Sequence, residues 1–311
     1  VQIVLLGTAA GGGFPQWNCW CPPCRVARAE PARAHPRTQS SIAVSSNGIS
    51  WFLVNASPDI HGQIGRLRLP PSPHHPPIGA AGPRQLPIEA VVFTDAELDH
   101  SLGLLSLREA GALTVYATDA VTHVFEHDTR ILPITRVFAA VKVISLPLDR
   151  AIPLRGSAGR DSGLTVKAFA VPGHAPRFAR HPRAGGLTVG LLIRETENGG
   201  TLAYIPGCAA LDQSVLEHLS RAQIVLFDGT FWSDDEMAKL EISPSTARSM
   251  GHLPISGTDG SLAVMAHLPA RIRVYTHINN TNPILIEDSR ERQAVREAGV
   301  IVGDDGLTFH I

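Results

Sequence analysis

The segment Thr94-Asp95-Ala96-Glu97-Leu98-Asp99-His100 crowds three carboxylates and an imidazole into one short stretch, and all four side chains bind metal ions. Oxygen donors dominate the cluster, and hard oxygen ligands weaken a zinc site and favour harder ions. It follows an apolar run, residues 90–93, that reads as a buried strand, and it precedes Leu102-Gly103-Leu104-Leu105, which opens a helix. Taken alone, acidic residues after a strand are more often a solvated turn capping a helix. Three further strand ends carry the same chemistry: His174 after Val171-Pro172-Gly173, Asp228 after Leu226-Phe227, and His277 after Tyr275-Thr276. A lone histidine at such a turn is usually structural. Two such histidines and Asp228 together with Asp99 and His100, gathered at one sheet edge, point to a metal site.

A second cluster is Cys19-x-Cys21-x-x-Cys24, which holds three of the four cysteines. Thiols this close in a reducing compartment favour metal over disulfides. A tetrahedral structural zinc needs a fourth ligand. His252, beside a helix-breaking glycine in Met250-Gly251-His252-Leu253, is the expected one, and it would pin the N-terminal loop to the C-terminal part of the chain. Cys208 stands alone and is expected in the core.

These groups need elements to position them. Strands are expected at 3–6, 41–44, 51–54, 90–93, 114–117, 141–144, 164–171, 186–193, 201–205, 224–227 and 272–276, with helices at 102–109, 211–220, 260–267 and 286–298. Runs of strands with interspersed helices suit two mixed sheets covered by helices, an αββα sandwich formed by residues 1–311 as one domain. The stretch 70–87 holds seven prolines, with His74 and His75 among them, and reads as a surface loop at the site's rim. The basic stretch 177–186 is expected to act as a lid.

A net charge of −1 and 44% hydrophobic residues describe a soluble globular chain, with no footprint for nucleic acid and no run long enough for membrane insertion. The opening residues 1–7 read as a first strand and not as a secretion signal, so a cytoplasmic location is expected.

Longer stretches make the reading specific. Residues 9–19 (AAGGGFPQWNC), 37–41 (RTQSS), 55–59 (NASPD), 103–109 (GLLSLRE) and 277–284 (HINNTNPI) resemble the PqqB family of pyrroloquinoline quinone (PQQ) biosynthesis, within the metallo-β-lactamase superfamily. The superfamily signature H-x-H-x-D-H is here D-x-E-x-D-H, so Asp95 and Glu97 replace two imidazoles while Asp99 and His100 stay in place. The resemblance implies the metallo-β-lactamase fold, and it agrees with His252 as the fourth ligand of a cysteine-held zinc. It also aligns Gly207 with the aspartate that bridges two metals in the hydrolases. A single active-site metal held by Asp99, His100, His277 and Asp228 is therefore expected, with His174 left to touch substrate. Two imidazoles and carboxylate with open positions match the ligand set of non-haem iron(II) oxygenases. That agrees with the reaction the resemblance implies, hydroxylation of the tyrosine ring in a cross-linked glutamate–tyrosine precursor.

Two alternatives stay open: a metal-dependent hydrolase, and a carrier that helps deliver PQQ or its precursor to the periplasm. The expected partners are that small molecule, other PQQ biosynthesis proteins and a second copy of the chain. Because the precursor is acidic, Arg37, Ser40, Asn279, Asn280 and Asn282 are expected at the active-site mouth, facing carboxylates. The asparagines would otherwise only build the turn after the last strand.

Overall fold

The runs read as strands in the sequence are strands in the computed structural model, which describes residues 1–67, 88–156, 159–180 and 185–311. The stretch 70–87, with His74 and His75, and residues 181–184 of the expected lid lie outside the described residues.

The strands are β1 (Gln2–Gly7), β2 (Ser41–Ser45), β3 (Trp51–Val54), β4 (Ile88–Val92), β5 (Ala112–Ala117), β6 (Ala140–Ser145) and β7 (Ala151–Arg155). They continue as β8 (Asp161–Ala170), β9 (Val189–Glu195), β10 (Thr201–Ile205), β11 (Ile224–Asp228), β12 (Ile272–Thr276), β13 (Ile301–Val302) and β14 (Thr308–His310). They form two seven-stranded sheets, ordered β14-β1-β2-β3-β4-β5-β6 and β13-β12-β11-β10-β9-β8-β7. In the first sheet β3 to β6 run parallel, and in the second β10 to β13 do; the antiparallel strands occupy the opposite side of each.

Alternation within the strands sorts the core into three layers. Ile3, Val44, Phe52, Val54, Val92, Val166, Leu191, Leu202, Leu226 and Val274 fill the space between the sheets. Leu53, Val91, Phe93 and Val115 point the other way, beneath Leu104, Val121, Val124 and Phe125 of the first sheet's helices. Ala203, Ile205, Val225, Phe227 and Tyr275 do the same beneath the helices of the second. Burial on both faces explains why these strands read as continuous apolar runs and not as alternating ones.

The parallel strands end at one edge, and the loops that follow them carry the chemistry. After β4 the chain turns into helix Leu98–Ser101 and tightens into a 3₁₀ helix, Leu102–Ala110. The loop after β3 clamps this turn: Ala56 N–H donates to the His100 carbonyl at 2.7 Å, and Gly103 N–H donates to the Ala56 carbonyl at 2.9 Å. So close an approach leaves no room at residue 103. A methyl there would collide with the carbonyl oxygens of Ser57 and Ala56, the latter at 2.7 Å. Gly103→Ala should therefore cost about 1–3 kcal/mol, read as a lower denaturant midpoint. It should weaken metal binding at Asp99 and His100 while leaving binding at the cysteines unchanged.

Candidate metal centre

The residue that opens the acidic cluster does not face the centre. Asp95 is buried and accepts hydrogen bonds from Thr94 Oγ1 at 2.7 Å and from Glu97 N–H at 2.9 Å. Its carboxylate lies 2.8 Å from His100 Nδ1. A carboxylate only accepts, so Nδ1 carries a proton and Nε2 is the nitrogen left to point inward. Nε2 is buried and has no hydrogen-bond partner among the described residues. Asp99 Oδ2 lies 3.9 Å from it and 3.2 Å from His277 Nε2. Asp99, His100 and His277 thus bring three ligand atoms together, and an orphaned, inward-facing imidazole nitrogen is what a cation would satisfy.

The second sheet repeats the arrangement. Asp228 is fully buried, and its Oδ2 accepts from Cys208 N–H at 2.9 Å and lies 2.8 Å from His252 Nδ1. Thr230 Oγ1 donates to Asp228 Oδ1 at 2.6 Å, which leaves its oxygen to accept from His277 Nδ1 at 2.9 Å. The His277 proton is thereby held on Nδ1, and Nε2 turns toward Asp99. The His252 ring stacks on His277 with centroids 5.3 Å apart. Asp228, His252 and His277 form a second group with metal-binding geometry.

Charge follows this geometry. Burial would lower the His100 imidazole, but Asp95 and Asp99 outweigh it and raise its pKa to about 9. Burial would raise the Asp99 carboxyl, but the charge of His100 outweighs it and holds the carboxyl well below the carboxylate range. His277 is lowered by burial and stays neutral. Glu97 is pushed up to about 7, first by burial and then by Asp95 and Asp99.

Several sequence expectations change here. His252 is not with the cysteines: it joins Asp228 and His277, because the chain returns from Ala247 to the end of β11 and sets the ring against Gly207. Asp228 holds His252 and Thr230, and lies in that group and not with Asp99 and His100. His174 is exposed, with Nε2 3.3 Å from the Arg248 carbonyl, and belongs to neither group. Arg37 and Ser40 do not reach the mouth. Arg37 is 3% exposed and donates to Thr8 Oγ1 and the Gly303 carbonyl, and Ser40 Oγ meets Tyr204 Oη at 3.1 Å between the sheets. Asn282 donates to the Gly229 and Thr230 carbonyls, so it builds the loop. Asn280 is buried against Cys21 and Cys24. Asn279 and Asn280 both border the neighbouring cleft, and Asn279 donates to Thr281 Oγ1 at 2.5 Å.

Cys19, Cys21 and Cys24 are free thiols whose sulfurs converge, with helix Pro22–Ala29 supplying the last. Their hydrogen bond divides Cys21 and Cys24, pushing the Cys21 thiol up and lowering Cys24. Beside them lies a cleft of about 710 Å³ bordered by Gly11, Trp20, Arg25, Lys239, Met250 and Asn279. Gly11 joins it to the centre, since a Cβ on that glycine would sit 3.4 Å from Asp99 Oδ2.

Residues 50–278 match the beta-lactamase superfamily domain. The chain is 42% identical to coenzyme PQQ synthesis protein B of Methylobacterium nodulans over 100% of both. The Zn2+-bound crystal structure of PqqB from Methylobacterium extorquens superposes with a TM-score of 0.86 at 39% identity, covering 100% of both chains. A diphosphatase of the PhnP family shares the fold, at a TM-score of 0.66 and 19% identity over 100% of this chain and 97% of its own.

If Asp95 orients His100, Asp95→Asn should lower metal affinity at Asp99, His100 and His277 by about 10–100-fold, with the cysteine site unaffected. The pH dependence should change as well. His100 must lose its proton to bind metal, so wild-type affinity should climb as pH rises toward about 9. In Asp95→Asn that climb should end at lower pH. Chelator competition across pH measures both, and an unchanged profile would contradict the assigned role.

Proposed function

The chain belongs to the family of coenzyme PQQ synthesis protein B, within the beta-lactamase superfamily, and from this premise we propose that it is a metal-dependent enzyme of PQQ biosynthesis. Its reaction is iron- and dioxygen-dependent hydroxylation of the tyrosine ring in a cross-linked glutamate–tyrosine precursor, one oxygen atom entering the ring and the other leaving as water with two electrons from an external reductant. The observation that carries this reading is the ligand set of Asp99, His100 and His277, one carboxylate and two imidazoles whose ligand atoms converge. Iron(II) held there would supply redox chemistry that zinc lacks. Zinc would be held by the cysteines.

The protein's own groups do the rest. Asp95 and Thr230 fix the protons of His100 and His277 on Nδ1, so both rings present Nε2 as the donor. Asp228 fixes the His252 Nδ1 proton and leaves Nε2 of that ring to exchange a proton beside the centre. Glu97, half-buried beside Asp95 and Asp99 with its pKa raised to about 7, can hold or release a proton at working pH. Along the cleft, Arg25 and Lys239 supply positive charge for the precursor's carboxylates, and Trp20 supplies an aromatic wall. Gly207 offers no carboxylate to bridge two ions, which speaks against the hydrolase.

Metal analysis and single-turnover assays test the reading. Anaerobic loading with iron(II), then oxygen, an external reductant and a glutamate–tyrosine diamino acid, should yield hydroxylated product. The zinc-only chain and His277→Ala should yield none. Two zincs with ester hydrolysis would favour the hydrolase, and tight PQQ binding without turnover would favour the carrier. Arg25→Ala should raise KM for the precursor about tenfold, the equivalent of one charge-assisted hydrogen bond, with kcat nearly unchanged; equal KM values would remove Arg25 from the substrate cleft.

A further inference from the structure

We infer that Asn279 is a specificity-determining residue whose amide oxygen accepts a hydrogen bond from an amino group of the precursor. The inference rests on the reading of the cleft as the precursor's site. The sequence alone set Asn279 against carboxylates, and its surroundings turn it the other way. Its backbone already builds the turn after β12, donating to the Thr230 carbonyl at 3.0 Å and accepting from Asn282 N–H at 3.0 Å. The side chain is not needed for that turn and stands half-buried on the wall of the cleft.

A chain of three groups fixes which end of the amide is offered. Glu236 is buried, and its Oε2 accepts from Trp232 N–H at 2.7 Å. Its Oε1 accepts the hydroxyl proton of Thr281, also buried, at 2.5 Å. A hydroxyl has one hydrogen, so Thr281 Oγ1 meets Asn279, 2.5 Å away, as an acceptor. Only Nδ2 can donate to it. The two ends of an amide are assigned from their partners, and here the carboxylate at the inner end of the chain makes the assignment. Nδ2 also lies 3.8 Å from Met237 Sδ. Oδ1 has no hydrogen-bond partner among the described residues and is not sealed from solvent.

An open amide oxygen takes a donor and repels a carboxylate. The precursor's carboxylates have Arg25 and Lys239 on the same cleft, which leaves its amino groups, charged at neutral pH, for Asn279. The Glu236 charge behind Thr281 favours a cation at this end. A neutral phenol, the rival donor, gains less from that charge. A site built around one hydrogen bond rejects the analogue that lacks the bonding group.

The test is calorimetry on the full chain with two compounds: a glutamate–tyrosine diamino acid, and a des-amino analogue that keeps its carboxylates and phenol. It is run above the Glu236 pKa, which burial raises to about 7. Wild type should bind the diamino acid about tenfold or more tightly than the analogue. Asn279→Ala should lose that preference and bind the analogue as wild type does. Glu236→Gln gives a readout that a merely structural role would not move. Its oxygen must stay on Trp232 N–H, so its NH2 faces Thr281, Thr281 donates to Asn279, and the Asn279 amide turns its own NH2 to the cleft. The preference should fall there as far as in Asn279→Ala, whereas Thr281→Ser, which keeps the hydroxyl, should retain it. A preference that survives Asn279→Ala or Glu236→Gln overturns the inference, as does a wild type that binds both compounds equally. Should the variants fail to fold, a wild-type crystal with the diamino acid decides. An amino nitrogen on Asn279 Oδ1 supports the assignment; a phenol, carboxylate or water there overturns it. A wild type that binds neither compound sinks the reading of the cleft, and the inference with it.

Discussion

Asp99 and His277 come from different sheets and stand 178 residues apart, yet their side chains meet at 3.2 Å. No local preference brings them together. The contact exists because β4 and β12 end at the same edge and the core between the sheets fixes their offset. A shift of either sheet by one residue would turn its ligands from the edge into the core or the solvent. The clamp of Ala56 on His100 and the hydrogen bonds of Asn282 to residues 229 and 230 hold the two loops at that spacing.

Both sheets solve the problem of a buried imidazole in the same way. A fully buried aspartate at or just beyond a strand end, Asp228 after β11 or Asp95 after β4, holds the Nδ1 of a histidine that follows it in the chain. An unpaired buried carboxylate would be strongly destabilising, and here each is paired and its remaining oxygen positions are filled by Thr94, Thr230 or backbone N–H groups. The site is stiff because these pairs cannot be rearranged one bond at a time without stranding a charge.

The strands were legible because both faces of each sheet are covered and their sequences are continuously apolar. β7 was not. It is an edge strand with Pro153 in it and alternate residues exposed, so no run of hydrophobics marks it. β13 and β14 are too short to show a period. Asp99, His100 and His277 were legible as polar residues that end apolar strands. The roles of Asp95, His252 and Asn280 were not, since each depends on which neighbour the fold delivers. Asp95 occupies a ligand position in the motif but turns to its own turn and to His100. His252 pairs across 24 residues with Asp228, and Asn280 across 256 with Cys24.

His277 belongs to both groups of ligand atoms, one with Asp99 and His100 and the other with Asp228 and His252. Its Nδ1 is committed to Thr230, so only Nε2 has a lone pair to give. One nitrogen cannot serve two ions at once. The two groups are therefore coupled through a single ring, and any turn of His277 that suits one of them moves the donor offered to the other.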